Sequence, residues 1–369
     1  MKFQMRRKIN ITFIIPSLRI GGTQKFLLNL IENINFKQFN ISLIILENIE
    51  LGLKIKNPNI KTYYLGVKRV RFSLIKLCKA IKKTKPEIVF SLQSHLSILV
   101  ILLKPFFKRV IFIARESNIV SKKNKDFKNS FSRNIIYKIL MKKFHKIICQ
   151  SEDMKEDLLS NFSIPKNNLV KINNPVDINK VINLSQKPEE INYDYDFIIL
   201  ASTLSPQKGI TRMIDSLLLI EDNINFNIVI LGDGKSRSLI EDKIKENKLQ
   251  NQIKIVGLKE NPYPWIKKSK VLLLPSYFEG FPNVVLEAAV LKKPTISFNI
   301  KGGINEIILN KKNGFIANNN KEYADYMQKS LSFPFDKNYI YDNIKLRFSI
   351  KKILEEYETM FKSALNENI

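Results

Sequence analysis

Short apolar runs alternate with longer stretches whose apolar residues recur at helical spacing, and the pattern continues through both halves of the chain. In the first half the runs cover residues 9–15, 41–46, 88–92, 110–114 and 147–151, with helical spacing over 23–32, 71–83 and 96–103. In the second half they cover 197–200, 227–231, 254–256 and 271–274, and a helical pattern follows over 283–291. Strand-then-helix repetition builds a parallel sheet with its ligands at the carboxyl ends of the strands. At 369 residues the chain can bury two cores of ordinary size. The expected fold class is α/β, with two Rossmann-like, doubly wound domains. Residues 1–182 form the first, the polar stretch 183–195 is the linker, and 196–344 form the second.

Charge is divided unevenly between the halves. The chain carries a formal +27, yet residues 1–180 hold 35 Lys and Arg against 11 Asp and Glu, while the remainder holds 26 against 23. Basic clusters with apolar residues between them occur at 68–85, 104–109, 122–128 and 138–146. The front domain should therefore present a positive face to an acidic partner, an anionic membrane or a nucleic acid. A biased genome would raise lysine in both halves, so the asymmetry favours a functional face. Cys78 and Cys149 sit in apolar surroundings without metal-ligand spacing, which predicts buried thiols rather than a disulfide or a metal centre. Residues 1–8 are polar and basic, and the run at 9–15 is too short for a signal core. Lys104 and Pro105 interrupt the most apolar stretch well below membrane-spanning length, so no crossing of a bilayer is expected.

The stretch VLLLPSYFEGFPNVVLEAAVLKKP, residues 271–294, reads as strand, loop and helix. Gly280 permits a sharp reversal, Pro282 removes a donor ahead of the helix, and Asn283 is the expected N-cap. Free amides of the first turn then make an anion site. Glu279 and Glu287 bracket the turn, and a carboxylate facing a cleft can accept hydrogens from both hydroxyls of a vicinal diol, the recurring unit of sugars.

Glu279, Gly280, Phe281, Pro282, Leu286, Glu287 and Ala288, with Val284 or Val285, resemble nearly letter for letter the Glu, seven residues, Glu motif of the family-4 retaining glycosyltransferases, whose fold is called GT-B. The family places a glycine before the final proline, where this chain has Lys292 or Lys293. The resemblance extends over almost the whole chain. Gly21 and Gly22 match a Gly-Gly loop that faces the donor's diphosphate from across the cleft, although paired glycines alone often make only a tight turn. Arg115 or Glu116 occupies the place of a polar residue that meets the reacting sugar, and either could equally be an ion pair at a strand end. His95, after the run at 88–92, is a candidate on the acceptor side, while His145 between lysines suits solvent. Residues 147–152 resemble the family's strand and Ser-Glu step, and Asn174 to Asp177 its turn at the end of the first domain.

In the second half, residues 202–209 resemble the family's diphosphate loop. Lys208 and Gly209 match, but Thr203 stands where an arginine is expected, so one permanent charge is missing. Gly232 opens the family's Gly-Asp-Gly turn, Leu258 and residues 261–265 match the surroundings of the nucleotide base, and Gly302, Gly303 and Glu306 match a further Gly-Gly motif. Apolar residues at helical intervals over 345–362 imply, by resemblance, a final helix within 345–369 that packs back on the first domain.

The resemblance implies that Glu279 holds sugar hydroxyls, Glu287 the ribose diol and Lys208 the diphosphate. Lysine and first-turn amides can stabilise a leaving diphosphate without a metal, so no cofactor is expected. Asp194 and Asp196 look like a metal pair but precede their strand, and are read as linker. The expected function is retaining transfer of a hexose or N-acetylhexosamine from a nucleotide sugar, UDP-linked by expectation, to a lipid-linked, lipopolysaccharide or capsule glycan acceptor. The expected location is cytoplasmic, peripheral on the inner face of the plasma membrane, with no nucleic-acid partner. Two alternatives stay open: a GT-B epimerase acting on the nucleotide sugar alone, and a non-catalytic polyanion-binding protein, whose DNA binding would be salt-sensitive and indifferent to Glu279 and Glu287.

Overall fold

The protein is described here from a computed structural model covering residues 7–19, 21–49, 52–125, 130–201, 203–220 and 226–367. Part of the basic cluster 122–128, residues 1–6 and Ser202 lie outside the described residues. The chain divides into two compact units: Met1–Pro175 with Ile350–Ile369, and Val176–Ser349.

The first unit is built on β1 (Ile9–Ile15), β2 (Phe39–Ile45), β3 (Lys61–Tyr64), β4 (Ile88–Leu92), β5 (Ile111–Arg115), β6 (Lys146–Cys149) and β7 (Leu169–Lys171). They form one sheet in the order β3-β2-β1-β4-β5-β6-β7, every pair parallel. Side chains alternate between two apolar layers, as the strand period of two requires. Ile11, Phe13, Phe90 and Ile113 enter one layer; Ile14, Val89, Phe112 and Ala114 enter the other. The first layer is closed by the Ile350–Asn366 helix, whose Ile353, Tyr357, Met360 and Phe361 are buried in it. Sequence spacing predicts one helix over 345–362. The structure has two, Lys337–Phe348 and Ile350–Asn366, because Ser349 is extended (φ −61°, ψ 151°) and starts a new helix with a different partner.

The second unit carries β8 (Phe197–Leu200), β9 (Ile228–Leu231), β10 (Ile253–Gly257), β11 (Val271–Leu274), β12 (Thr295–Phe298) and β13 (Gly314–Ala317). Their order is β10-β9-β8-β11-β12-β13, again all parallel. Each half is thus a separate doubly wound sheet.

The boundary falls earlier than the composition suggests. Val176 donates to the Phe348 carbonyl at 2.8 Å and pairs with Ser349, so the first and last residues of the second unit are tied to each other. Residues 183–195 are polar in sequence but are not a free linker. Tyr193 and Tyr195 pack against the Trp265 ring, the Tyr195 hydroxyl donates to the Trp265 carbonyl at 2.7 Å, and Asn261 Nδ2 donates to the Leu184 carbonyl at 2.9 Å. The two aromatic side chains within this polar stretch anchor it. Asp194 and Asp196, at its end, pair with Lys268 and Lys270.

Among the described residues no helix is long and apolar enough to cross a membrane, and no three His, Cys, Asp or Glu side chains converge as metal ligands. Both cysteines are free thiols; burial pushes the Cys149 pKa up.

Candidate active site

In the second sheet the strand order reverses between β8 and β11, the place where an open parallel sheet leaves a crevice for ligand. The loops after these two strands are joined by backbone and side-chain bonds. Tyr277 N donates to the Gln207 carbonyl and Gln207 Nε2 to the Phe278 carbonyl, each at 2.9 Å. Gly209, at φ +62°, brings its turn so near the Pro275 carbonyl that a Cβ there would lie 2.1 Å from that oxygen. No other residue type fits this approach.

These constraints deliver Lys208 Nζ to within 2.7 Å of Glu279 Oε1, and Ser276 Oγ donates to the same oxygen at 2.8 Å. Glu279 Oε2 has no protein partner among the described residues, and the side chain is 13% exposed. The loop after β12 fixes the carboxylate from the other side: Glu279 N donates to the Lys301 carbonyl at 3.2 Å and Gly303 N to the Gly280 carbonyl at 2.8 Å. Gly302, at φ +130°, would place a Cβ 2.0 Å from the Glu279 carbonyl oxygen. Phe281 is buried beneath this loop, its ring 5.5 Å from that of Phe348.

The helix after the loop runs Asn283–Val290. Sequence spacing makes Asn283 its N-cap, but the cap residue is Pro282 (φ −75°, ψ 98°), already extended, and Asn283 is the first helical residue. Pro282 itself makes no side-chain capping bond, and the positive end of the helix suits an anion. One turn on, Glu287 Oε1 accepts from the Tyr263 hydroxyl at 3.2 Å. Burial, then the Glu287 charge, raises the Tyr263 pKa, so the phenol stays a donor. The sequence reading puts residues 261–265 near the nucleotide base without singling out Tyr263, and it misses Ser276. Ser276 directly follows β11 at the switch point, the signal that could have found it, whereas Tyr263 opens the helix after the edge strand β10 and carries no such signal.

The other expected donor-side residues lie on neighbouring loops. Thr203 is exposed and Leu258 is exposed just past β10. Gly232 (φ +158°) follows β9, where a Cβ would lie 1.9 Å from the Ala201 carbonyl. Of the two lysines before Pro294, Lys292 takes φ +61°, the left-handed conformation that glycine adopts freely. Its ammonium bonds Asn338 Oδ1 at 2.8 Å.

In the first unit the order reverses between β1 and β4. Gly21 is extended (φ −175°) and caps the Gly22–Asn33 helix, so its backbone angles alone do not demand glycine. His95 lies in the first turn of the Ser94–Ile101 helix; partial burial, then Lys123 and Arg133, lower its pKa, so the neutral imidazole prevails at pH 7.

Arg115 and Glu116 are where the structure departs most from the expectation of contact with sugar, because both side chains are about 1% exposed. Strand alternation sends Arg115 into the layer of Phe26 and Tyr357, with the guanidinium 3.6 Å from the Phe26 ring centroid and Nη2 donating to Asn174 Oδ1 at 2.5 Å. Its Nε and Nη1 and the Tyr357 hydroxyl meet no well-aligned hydrogen-bond partner among the described residues, and the Tyr357 hydroxyl lies near enough to the guanidinium to offset part of the lowering of the Arg115 pKa by burial. Glu116 turns to the opposite layer and accepts from Ser94 Oγ at 2.5 Å and the Tyr137 hydroxyl at 2.8 Å; burial raises its pKa. Neither is a plain ion pair at a strand end.

Residues 20–180 match the family description "Glycosyltransferase Family 4" and residues 181–347 "Glycosyl transferases group 1". The chain belongs to the family-4 glycosyltransferases. An uncharacterized glycosyltransferase of Methanocaldococcus jannaschii is 29% identical over 333 residues, covering 86% of this chain and 79% of the relative. A Campylobacter jejuni enzyme named GalNAc-alpha-(1->4)-GalNAc-alpha-(1->3)-diNAcBac-PP-undecaprenol alpha-1,4-N-acetyl-D-galactosaminyltransferase is 25% identical, covering 97% of this chain and 99% of the relative. Among solved structures, Anabaena HepE in complex with UDP superposes with a TM-score of 0.75 at 15% identity, covering 96% of this chain and all of that one. This glycosyltransferase therefore has the GT-B fold and is a hexosyltransferase-type enzyme.

Proposed function

We propose that this glycosyltransferase moves a hexose or N-acetylhexosamine, with retention of anomeric configuration, from a UDP-linked donor to a lipid-linked glycan acceptor on the cytoplasmic face of the membrane. The carrying observation is the grouping at the β8/β11 switch: Lys208 on Glu279 Oε1, Oε2 open among the described residues, and Glu287 one turn into a helix whose cap residue, Pro282, makes no side-chain bond. Cleaving a sugar diphosphate leaves negative charge on phosphate as the anomeric carbon becomes cation-like. The Lys208 ammonium and the first-turn amides meet that charge. Glu279 Oε2 accepts from sugar hydroxyls, and Glu287 from the ribose diol, with the Tyr263 hydroxyl holding its carboxylate in place. Buried as they are, Arg115 and Glu116 act as positioning groups: Arg115 steadies the end of β5, and Glu116 ties Ser94, beside His95, to Tyr137. Support for the donor and acceptor comes from the UDP complex of the Anabaena structure and from the undecaprenol-linked product named for the Campylobacter relative.

The test is incubation with labelled UDP-sugars and membranes from a polysaccharide-making bacterium, following label into the lipid phase. Isomerised free donor with no lipid label would establish the epimerase reading instead. Glu287→Ala is expected to cut turnover at least tenfold, about 1.4 kcal/mol of transition-state stabilisation, and a wild-type rate would remove Glu287 from the site. With lysine and amides carrying the charge, transfer should be unchanged after exhaustive chelation with EDTA. A rate restored only by added divalent cation would refute that assignment.

A further inference from the structure

The Ser130–Met141 helix of the first unit is apolar on two sides. Its inner side buries Tyr137 and Met141. On the outer side Phe131, Ile135 and Ile139, spaced four residues apart, remain 78%, 42% and 56% exposed, with Ile136 at 48% beside them. A helix with one buried side ordinarily turns polar residues outward, so this second, exposed apolar side is left without cover among the described residues.

Charge identifies the partner. Lys138 is exposed on the same helix, and Lys142 and Lys143 are exposed immediately after it. These last two line a cavity of about 730 Å³ together with Lys104, Lys108, His145 and Lys146. Glu367, paired with Lys146 at 2.7 Å, is the one carboxylate among its lining residues. Burial and Lys143 lower the Lys104 pKa, and burial, Lys104 and Lys146 lower that of His145, as an excess of positive charge in a half-buried place requires. Leu102 and Phe106, near the same cavity, are also exposed. A second copy would bring an equally basic surface against this one, and a nucleic acid would leave the ridge in water. An anionic bilayer satisfies both: apolar side chains enter the acyl boundary while lysines meet phosphate headgroups.

We propose that this ridge and the lysine-lined cavity at the carboxyl end of its helix form one docking face for an anionic phospholipid bilayer. The proposal deepens the lipid-linked acceptor reading and rests on it for its biological setting. The full chain is sedimented with vesicles of phosphatidylcholine alone and with one-third phosphatidylglycerol. Binding is expected to the anionic vesicles only, and to weaken with salt. Ile135→Glu with Ile139→Glu, and separately Lys142→Glu with Lys143→Glu, should each weaken it at least about tenfold. Because a variant could misfold, hydrogen exchange of the wild type is followed too, with vesicles slowing exchange in residues 131–143.

Absence of wild-type binding, equal binding to neutral vesicles, unchanged binding in both variants, or no protection of 131–143 would each overturn the docking face. So would a concentration-dependent dimer that the isoleucine variant alone makes monomeric. Transfer to a short-chain acceptor in detergent is measured in parallel, where the isoleucine variant should keep its rate. Vesicle binding without transfer removes the acceptor reading and leaves the docking face, and transfer without vesicle binding does the reverse.

Discussion

Replacing Lys208 by Met is expected to lower kcat by about 10²- to 10³-fold, the range for removing one preorganised donor from a developing anion. The effect should be at the upper end here, because Thr203 occupies the place of the family's arginine and offers at most a neutral hydrogen bond. Methionine keeps the stem and its packing, so loss of charge is what the comparison reads. Lys208 also donates to Glu279 Oε1, so part of the loss would come from a carboxylate no longer held. Measuring Lys208→Met, Glu279→Gln and the double variant separates the two: losses smaller than additive show that they act as a unit. A Lys208→Met enzyme with wild-type kcat and donor KM would show that the diphosphate lies elsewhere.

Phe361→Ala should destabilise the first unit by about 3–5 kcal/mol, the cost of truncating a fully buried phenylalanine. Its ring lies 6.2 Å from those of Phe13 and Phe39, 5.8 Å from Phe90 and 6.0 Å from Tyr357, so one side chain from the end of the chain closes a layer begun at β1. Urea unfolding followed by tryptophan fluorescence and circular dichroism is the measurement. Trp265 belongs to the second unit, so the fluorescence transition should move little while the circular dichroism gains an earlier phase. Lys351→Ala, exposed on the same helix, is the control and should change stability by less than about 0.5 kcal/mol. An unchanged Phe361→Ala midpoint would mean that the helix is not part of that core.

The parallel sheets and the site loops were legible because their signals are local. Ile9–Ile15 and Val271–Leu274 are continuous apolar strands bounded by breakers, and the Glu279 to Glu287 spacing spans one loop and one helical turn. Glycine at 209 and 302 was legible as well, and the structure supplies the reason, backbone carbonyls close to 2 Å from any added Cβ. Residues 183–195 misled because polar composition signals a loop, whereas Tyr193 and Tyr195 find a tryptophan seventy residues on.

By itself the sequence determined the alternation of strand and helix, the division into two sheets and the family-4 motif, since each follows from residues near one another in the chain. Only the tertiary structure decided that Lys208 rests on Glu279, that Tyr263 bonds Glu287, and that Arg115 and Glu116 face the interior on opposite sides of β5. Those outcomes depend on which strands lie next to each other and on which layer each side chain enters. Strand order and layer are properties of the assembled sheet, and residue spacing along the chain does not encode them.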